Sequence, residues 1–504
     1  MNRIDRIYQM REKVILWFET MAVPSYGEGV YTNSSHNQDL HNTDMLLPAT
    51  YNATNCLKLL GQYEDIPAER QRNILVFFKN HLDRDGFYKM KGMRAEDVYY
   101  PTMEYDNFHI TNYTLGALAS LGAEEISGFS FLSEYDSAAK LDRWLSRRDM
   151  RNPWTEGNYV VNLASFYIYA MEYINQRKYQ RLIDRLYRWH QSMQDPDTGY
   201  WYDPQTNDRI SAMAGASHNY HLYYYLNRAV PHYEKIIDHC LTILEGVSSA
   251  CLDIDVVDIL SNMIKYGYRV EDIKGYLKRK LDALLDFQND DGGFADVVTG
   301  TRLFDGWEVY KEPQGLSNCF ATWFRCAAVG MISCVLYPET QDQWFFRNTI
   351  GMGYFNKHYM EGIDIDETLL EKERRPKRIW LKAYRKQTVS HQKRDQKAGL
   401  TIDELSKQVC DRFNDNDLSI FNTAAVFAFC ISNMDNSCFA VRIDDAVAQI
   451  VDVDSVEEHI TITINDKNLI KILEGKLMPV VAYATKRLSI KGDMSLAMKL
   501  QNLF

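Results

Sequence analysis

Asp253 and Asp255 open the apolar run Asp253-Ile-Asp-Val-Val-Asp258, and His218 and His221 lie three residues apart on one face of a helical stretch. A carboxylic acid that protonates an alkene or an epoxide has to be held neutral, by burial or by a second carboxylate close by. Asp255 fits the acid, with Asp253 as the neighbour expected to raise its pKa, and the two histidines fit a base pair working near neutral pH. The plainer account is structural: aspartates at a helix start cap and charge the amino terminus, and histidines near a core are hydrogen-bonded polar residues. His36-Asn-Gln-Asp-Leu-His-Asn-Thr-Asp44 brings imidazoles and carboxylates of the kind that bind divalent ions. Helix capping accounts for that cluster more simply, so no metal and no cofactor is assigned. Asp44 stays with Asp255, Asp253 and His218 as a candidate catalytic residue. Trp154, Tyr159, Tyr220, Trp307 and Trp323 could stabilise a carbocation, stack on sugar rings or simply pack.

These groups need a scaffold, and a weak repeat from Tyr31 to about Tyr337 supplies one. Apolar helical segments are expected to open at Asn42-Thr-Asp44, His109-Ile-Thr-Asn112, Thr155-Glu-Gly-Asn158, Ser217-His-Asn219, Asp253-Ile-Asp255 and Ser317-Asn318. Their spacing of about 55 residues has room for two helices with their loops. Six inner helices alternating with more polar outer ones make an (α/α)6 toroid. Phe77-Phe-Lys-Asn-His-Leu-Asp-Arg-Asp-Gly-Phe87, Gln194-Asp-Pro-Asp-Thr-Gly-Tyr200 and Gln288-Asn-Asp-Asp-Gly-Gly-Phe294 share a helix end, acidic residues, glycine and an aromatic. In such a loop the glycine takes the left-handed conformation and the aromatic packs back on the helix.

A chain of 504 residues exceeds the size of a single core, and a formal charge of -11 disfavours a general nucleic-acid binder. The start, Met1-Asn-Arg-Ile-Asp-Arg-Ile-Tyr8, lacks the apolar core of a secretory signal, and no stretch approaches a membrane-spanning run, so a cytoplasmic protein is expected. The nine cysteines are scattered and read as reduced core residues. Between 361 and 399 the texture turns basic, as in Arg374-Arg-Pro-Lys-Arg378. This reads as a solvated linker between a toroid at 1–360 and a domain at 400–504. Weak contact of that segment with anionic lipid heads, about 1 kcal/mol per basic residue near such a surface, is left open.

From Thr401 a capped amphipathic helix (Leu405, Val409, Phe413) precedes the apolar runs Ala425–Ile431, Cys438–Ile443 and Ala446–Val451, separated by turn residues. An α+β domain follows from this order. The Ile460-to-Ile464 alternation, the helix from Asp466 to Leu473, the turn Gly475-Lys-Leu-Met-Pro479, the strand Leu488-Ser-Ile-Lys491 with Gly492, and the closing Met494-Ser-Leu-Ala-Met-Lys-Leu500 together resemble the sterol-carrier-protein family of lipid-binding domains. The resemblance implies an apolar tunnel partly lined by the terminal helix, with Met478, Leu496, Met498, Leu500, Leu503 and Phe504 against a long apolar ligand. Core filling or a dimerisation role is the alternative for the same residues, and a homodimer stays open.

The loop Gln288-Asn-Asp-Asp-Gly-Gly-Phe294 resembles the repeat of squalene cyclases and protein prenyltransferase β-subunits. Asp253-Ile-Asp-Val-Val-Asp258 is similar to the region holding the Asp-x-Asp-Asp acid of class II terpene cyclases, which would make Asp255 the protonating aspartate. Val256 departs from that motif, Asp258 is displaced by two, and a single toroid stands where those cyclases commonly use two. Cys251 carries no zinc-prenyltransferase pattern. Toroids also serve glycan enzymes, so fold does not settle reaction. The sequence thus points to acid-base chemistry of the cyclase or isomerase kind on an isoprenoid or other lipid-like substrate. Two rivals stand: a glycan-processing barrel using carboxylates among Asp39, Asp44, Glu156 and Asp255, and a non-enzymatic lipid carrier whose toroid binds a protein.

Overall fold

The computed structural model describes residues 2–346 apart from 37–45, 91–102, 124–128, 175, 203–207 and 297–314. It also describes 401–503 apart from 415, 417, 419–420, 422–423, 433, 435–436, 454–458, 485–486, 493–495, 497–498 and 500–502. The basic segment 361–399 lies outside the described residues, as do Asp39, Asp44, Trp307, Met498, Leu500 and Phe504. By its contacts the chain divides into two units, Met1–Tyr384 and Arg385–Phe504.

Among the described residues of the first unit, twelve α-helices alternate between an outer and an inner layer. The inner helices are α2 (Leu46–Leu59), α4 (Met103–Ser120), α6 (Pro153–Glu172), α8 (Arg209–Tyr225), α10 (Ala250–Met263) and α12 (Cys319–Leu336). Each packs on the next, and α12 returns to α2, so the six close a ring. The outer helices are α1 (Arg3–Met21), α3 (Ala68–Asn80), α5 (Ala138–Leu145), α7 (Gln180–Met193), α9 (Tyr233–Cys240) and α11 (Val270–Asp286). Composition sets the layer. The outer helix α7 buries a stripe, Leu182, Ile183, Leu186, Tyr187 and Trp189, whereas α6 is buried almost all round. The first helix packs on α11 and α12 and completes the circle, with Arg3 on Asp282 at 2.7 Å and Arg6 on Asp286 at 2.5 Å. This is the (α/α)6 toroid.

The repeated turn holds each outer helix to the next inner one. Gln194 and Gln288 play the same part, donating from Nε2 to the carbonyls of Gly199 (2.8 Å) and Gly292 (2.7 Å). Asp195 and Asp291 accept from backbone N–H groups inside the turn, and Gly86, Gly199 and Gly292 have positive φ. Two inner helices start earlier than the polar signals suggest, α4 six residues before His109 and α8 eight before Ser217. Asp208 caps α8 by accepting from Ser211 N. Asn112, Ser217 and Asn219 are polar because they bond other inner helices, at Asn162, Asp255 and Gly157.

Helix α12 corrects one expectation, since it is long and apolar enough to cross a membrane by length and composition. It is 89% buried inside the ring, which accounts for its apolarity.

The second unit holds a five-stranded sheet of order β3-β2-β1-β4-β5. Its strands are β1 (Ala425–Ile431), β2 (Ser437–Asp444), β3 (Val447–Val451), β4 (Ile460–Ile464) and β5 (Leu488–Gly492). Only β1 and β4 run parallel, with Phe427 opposite Ile460, and the other neighbours are antiparallel. Helix α13 (Ile402–Asn414) opens on a capping box between Thr401 and Glu404 and buries Leu405, Val409 and Phe413. The alternation of β4 puts Ile460, Ile462 and Ile464 into the same core, beside Leu469 and Ile472 of α14 (Asp466–Leu473). Helix α15 (Pro479–Ala484) leads into β5. Leu503 is buried in this core, Leu496 packs on it half-buried, and Met478 is half-buried.

The cysteine reading needs a second correction: Cys430 and Cys438 form a disulfide, and the other seven are reduced. The two face each other across the β1–β2 pair. That register is invisible in sequence.

Candidate functional site

Glycines bring the site together. Helices α6 and α8 touch backbone to backbone: a Cβ on Gly157 would stand 2.2 Å from the Gly215 carbonyl oxygen, and one on Gly215 2.1 Å from that of Pro153. Asn219 locks the contact by donating to the carbonyls of Gly157 (2.9 Å) and Gly215 (2.7 Å). One residue beyond Gly157, Asn158 thereby reaches His218, with Oδ1 2.7 Å from Nδ1. The Asn158 amide also donates to the Tyr105 hydroxyl at 2.8 Å, which leaves Oδ1 as the acceptor and places a hydrogen on His218 Nδ1.

The other ring nitrogen of His218 lies 3.1 Å from Asp255 Oδ1, and the Ser217 hydroxyl lies 2.9 Å from the same oxygen. Asp255 is fully buried, and that burial raises its pKa against the opposing pull of His218 and Ser217. Its second oxygen, Oδ2, is buried without a hydrogen-bond partner among the described residues. The pair therefore holds a proton in a dry site, with one carboxyl oxygen unengaged. One turn on, His221 and Asp258 repeat the arrangement at 2.8 Å, and Asn262 donates to Asp258 at 3.0 Å.

Opposite α10 across the ring, α4 carries Asp106, His109 and Tyr113 at the three- and four-residue spacings of one stripe. The stripe faces the axis. Tyr113 stacks on Tyr51 of α2 at 5.2 Å and meets Trp323 of α12 edge-on at 5.5 Å. Burial and the nearby His218 push His109 down to about 3, so this imidazole is neutral. Asp106 is 4% exposed, and burial alone pushes it up to about 7. No hydrogen bond or ion pair engages it among the described residues. Sequence reasoning missed Asp106. The spacing of Asp106, His109 and Tyr113 was the available signal.

Asp253 is not the neighbour that the sequence suggested for Asp255. Its carboxylate is tied to two interior cations, Arg325 of α12 and Lys280 of α11 at 2.6 Å, and to the Ser248 hydroxyl at 2.8 Å. With Lys280 and Arg325 it forms a structural joint between three helices. Glu156 is similarly engaged, 3.0 Å from Arg148, whose guanidinium lies over Trp144 (4.2 Å) and Tyr159 (4.6 Å). Among the described residues no group of three or more His, Cys, Asp or Glu side chains is arranged to hold a metal.

The state of Asp106 has a measurable consequence. Its folded pKa, about 7, stands above the ordinary 3.8, so the unfolded chain gives up this proton first as pH rises. The cost to stability is absent below pH 4, grows between 4 and 7 and is complete above 7. At 1.36 kcal/mol per pH unit it reaches about 4 kcal/mol. A buried, unpaired amide returns part of that, so Asp106→Asn is expected to gain about 1–2 kcal/mol at pH 8 and nothing at pH 4. Urea midpoints at the two pH values measure it, and an equal or lower midpoint at pH 8 would show that the carboxyl is not strained.

Residues 403–504 match the SCP-2 sterol transfer family. Over 110 residues the chain is 28% identical to Sterol carrier protein 2 of Bos taurus and, to the same degree, to that of Oryctolagus cuniculus. The match takes in 21% of this chain and 20% of each relative, so the chain spans about a fifth of their length. Among solved structures, a type II terpene cyclase from Scytonema, MstE, in complex with its substrate geranylgeranyl dihydroxybenzoate, aligns over 66% of this chain and 98% of its own. That alignment has 10% identity and a TM-score of 0.34. The molecule is thus a helical toroid joined to an α+β domain. That second domain resembles the sterol-carrier family.

Proposed function

We propose that this chain processes an isoprenoid or other lipid-like substrate, with the toroid axis doing acid-base chemistry and the sterol-carrier-like domain binding or shielding the apolar part. The observation that carries the reading is the buried Asp255–His218 pair, fixed by Asn158, on an axis walled by Tyr105, Tyr113 and Trp323. Burial favours the neutral carboxyl of Asp255, as an acid for an alkene or epoxide requires, and the Ser217 hydroxyl, which donates to Oδ1, steadies the anion left after transfer. Aromatic faces near the pair suit a developing carbocation. Of the carboxylates a glycan enzyme could use, Glu156 lies 3.0 Å from Arg148, and Asp39 and Asp44 lie outside the described residues.

Cys251 supplies the handle for a test. It lies one turn before Asp255 on α10, and it alone of the seven reduced cysteines is not buried. Mass spectrometry of compounds that copurify with the full chain is expected to find an isoprenoid or similar lipid. Alkylation with N-ethylmaleimide should lower the amount retained, and Cys251→Ser should abolish that sensitivity. Recovery of a glycan, with no lipid, would overturn the reading.

A further inference from the structure

Chemistry that begins by adding a proton to carbon has to end by removing one. Asp255 cannot serve both ends of a large apolar substrate, because it sits on α10 with Oδ1 engaged by His218 and Ser217. We infer that Asp106 of α4 is the second catalytic carboxyl of the axial site, the group that faces the cationic intermediate and takes the departing proton. This rests on the reading of the axial site given above.

Placement carries the argument. The α4 stripe that holds Asp106 also holds Tyr113, whose ring meets Tyr51 of α2 and Trp323 of α12, and Tyr105 beside it accepts from Asn158, the partner of His218. Asp106 lies on this stripe one turn before His109, in the first turn of a helix that stands opposite α10 in the ring. It is buried and no described residue donates to it, an arrangement a scaffold carboxylate avoids: Asp253, Asp258 and Asp296 each have hydrogen-bond donors. A carboxyl left unpaired in a dry site costs stability, and such a cost is characteristic of groups kept for function. The nearest basic side chain on the stripe, His109, is held neutral and supplies no counter-charge.

The step balances without a co-reactant. Asp255 gives its proton to one carbon of a C=C bond, whose π pair becomes the new C–H bond and leaves a cation on the neighbouring carbon. The cation reacts onward within the substrate or stays in place. Asp106 as carboxylate then takes a proton from a carbon adjacent to the cationic centre, and that C–H pair becomes the new C=C bond. One proton enters and one leaves, so the product is an isomer of the substrate. Water returns Asp255 and Asp106 to their starting states.

A cation mimic tests the assignment without the true substrate. N,N-dimethyldodecylamine is protonated at neutral pH, and 1-dodecanol is its uncharged comparator. Eight of the nine tryptophans lie within 1–360 and Trp380 in the basic segment, so the test uses the full chain carrying Trp380→Phe, whose emission arises in the toroid. In the full chain both probes are expected to shift the emission saturably. Asp106→Asn should weaken the amine about tenfold or more through loss of an anion in a low-dielectric site, and leave dodecanol unchanged. An amine affinity within about twofold of the original, with dodecanol still bound, would overturn the role of Asp106 and leave the axial reading standing. If neither probe moves the emission while Asp106 is in place, the axial reading itself fails and the role of Asp106 with it. Asparagine matches aspartate in size, and an unchanged dodecanol titration reports that the variant is folded.

Discussion

Asp253→Asn is expected to destabilise the toroid by about 3–5 kcal/mol, the range for breaking a buried ion pair. The carboxylate is 1% exposed and stands between Lys280 and Arg325, themselves 2% and 0% exposed. Removing its charge leaves two cations facing an amide in the interior. Burial already pulls the Lys280 pKa down, and Asp253 is the main group holding it up. Arg325 also donates to the carbonyls of Ala295 (3.1 Å) and Ser248 (3.0 Å), tying α12 to the loops beside α10. The loss therefore spreads over three helices. The urea midpoint of the first unfolding transition measures it. Asp286→Asn, whose carboxylate sits on an exposed outer-helix pair, should shift that midpoint by less than about 1 kcal/mol. Equal shifts in the two variants would show that the interior joint carries no special weight.

How much of this was legible follows from the range of each interaction. The turn at Gln288–Phe294 is local, since glutamine, aspartate and glycine satisfy one another within a few residues, and its repetition gave the alternation of layers. Period-two alternation in β4 placed the isoleucines inward for the same reason. The fate of Asp253 was not legible, because its partners lie 27 and 72 residues away and only ring closure brings them in. Asn158 is 60 residues from His218, and what joins them is the close approach at Gly157 and Gly215, two glycines that look unremarkable in sequence. The Cys430–Cys438 bond needed a strand register that alternation leaves free. Asp106 was passed over because its emptiness, and not its neighbours in sequence, sets it apart.

The two aspartates of the Asp253-Ile-Asp255 signature therefore have opposite duties, and their variants should part accordingly. Asp255→Asn keeps the size of the side chain and its contact with Ser217, and it removes the transferable proton. Turnover of the copurifying lipid is expected to fall about a hundredfold or more, as loss of a general acid does, with the folded chain still retaining that lipid. His218→Ala should cost less than Asp255→Asn in rate, because it withdraws a partner of the anion and leaves the acid in place. Asp258→Asn acts one turn further along, at His221, and is expected to disturb stability more than chemistry. Single-turnover rates measured beside lipid retention separate these outcomes. Should Asp255→Asn turn over normally while His218→Ala is inactive, the imidazole would be the proton donor and the carboxyl only its support. The neutral state that burial favours for Asp255 argues for the first order of events, since the carboxyl then holds the proton while His218 Nε2, with the ring hydrogen on Nδ1, has none to give.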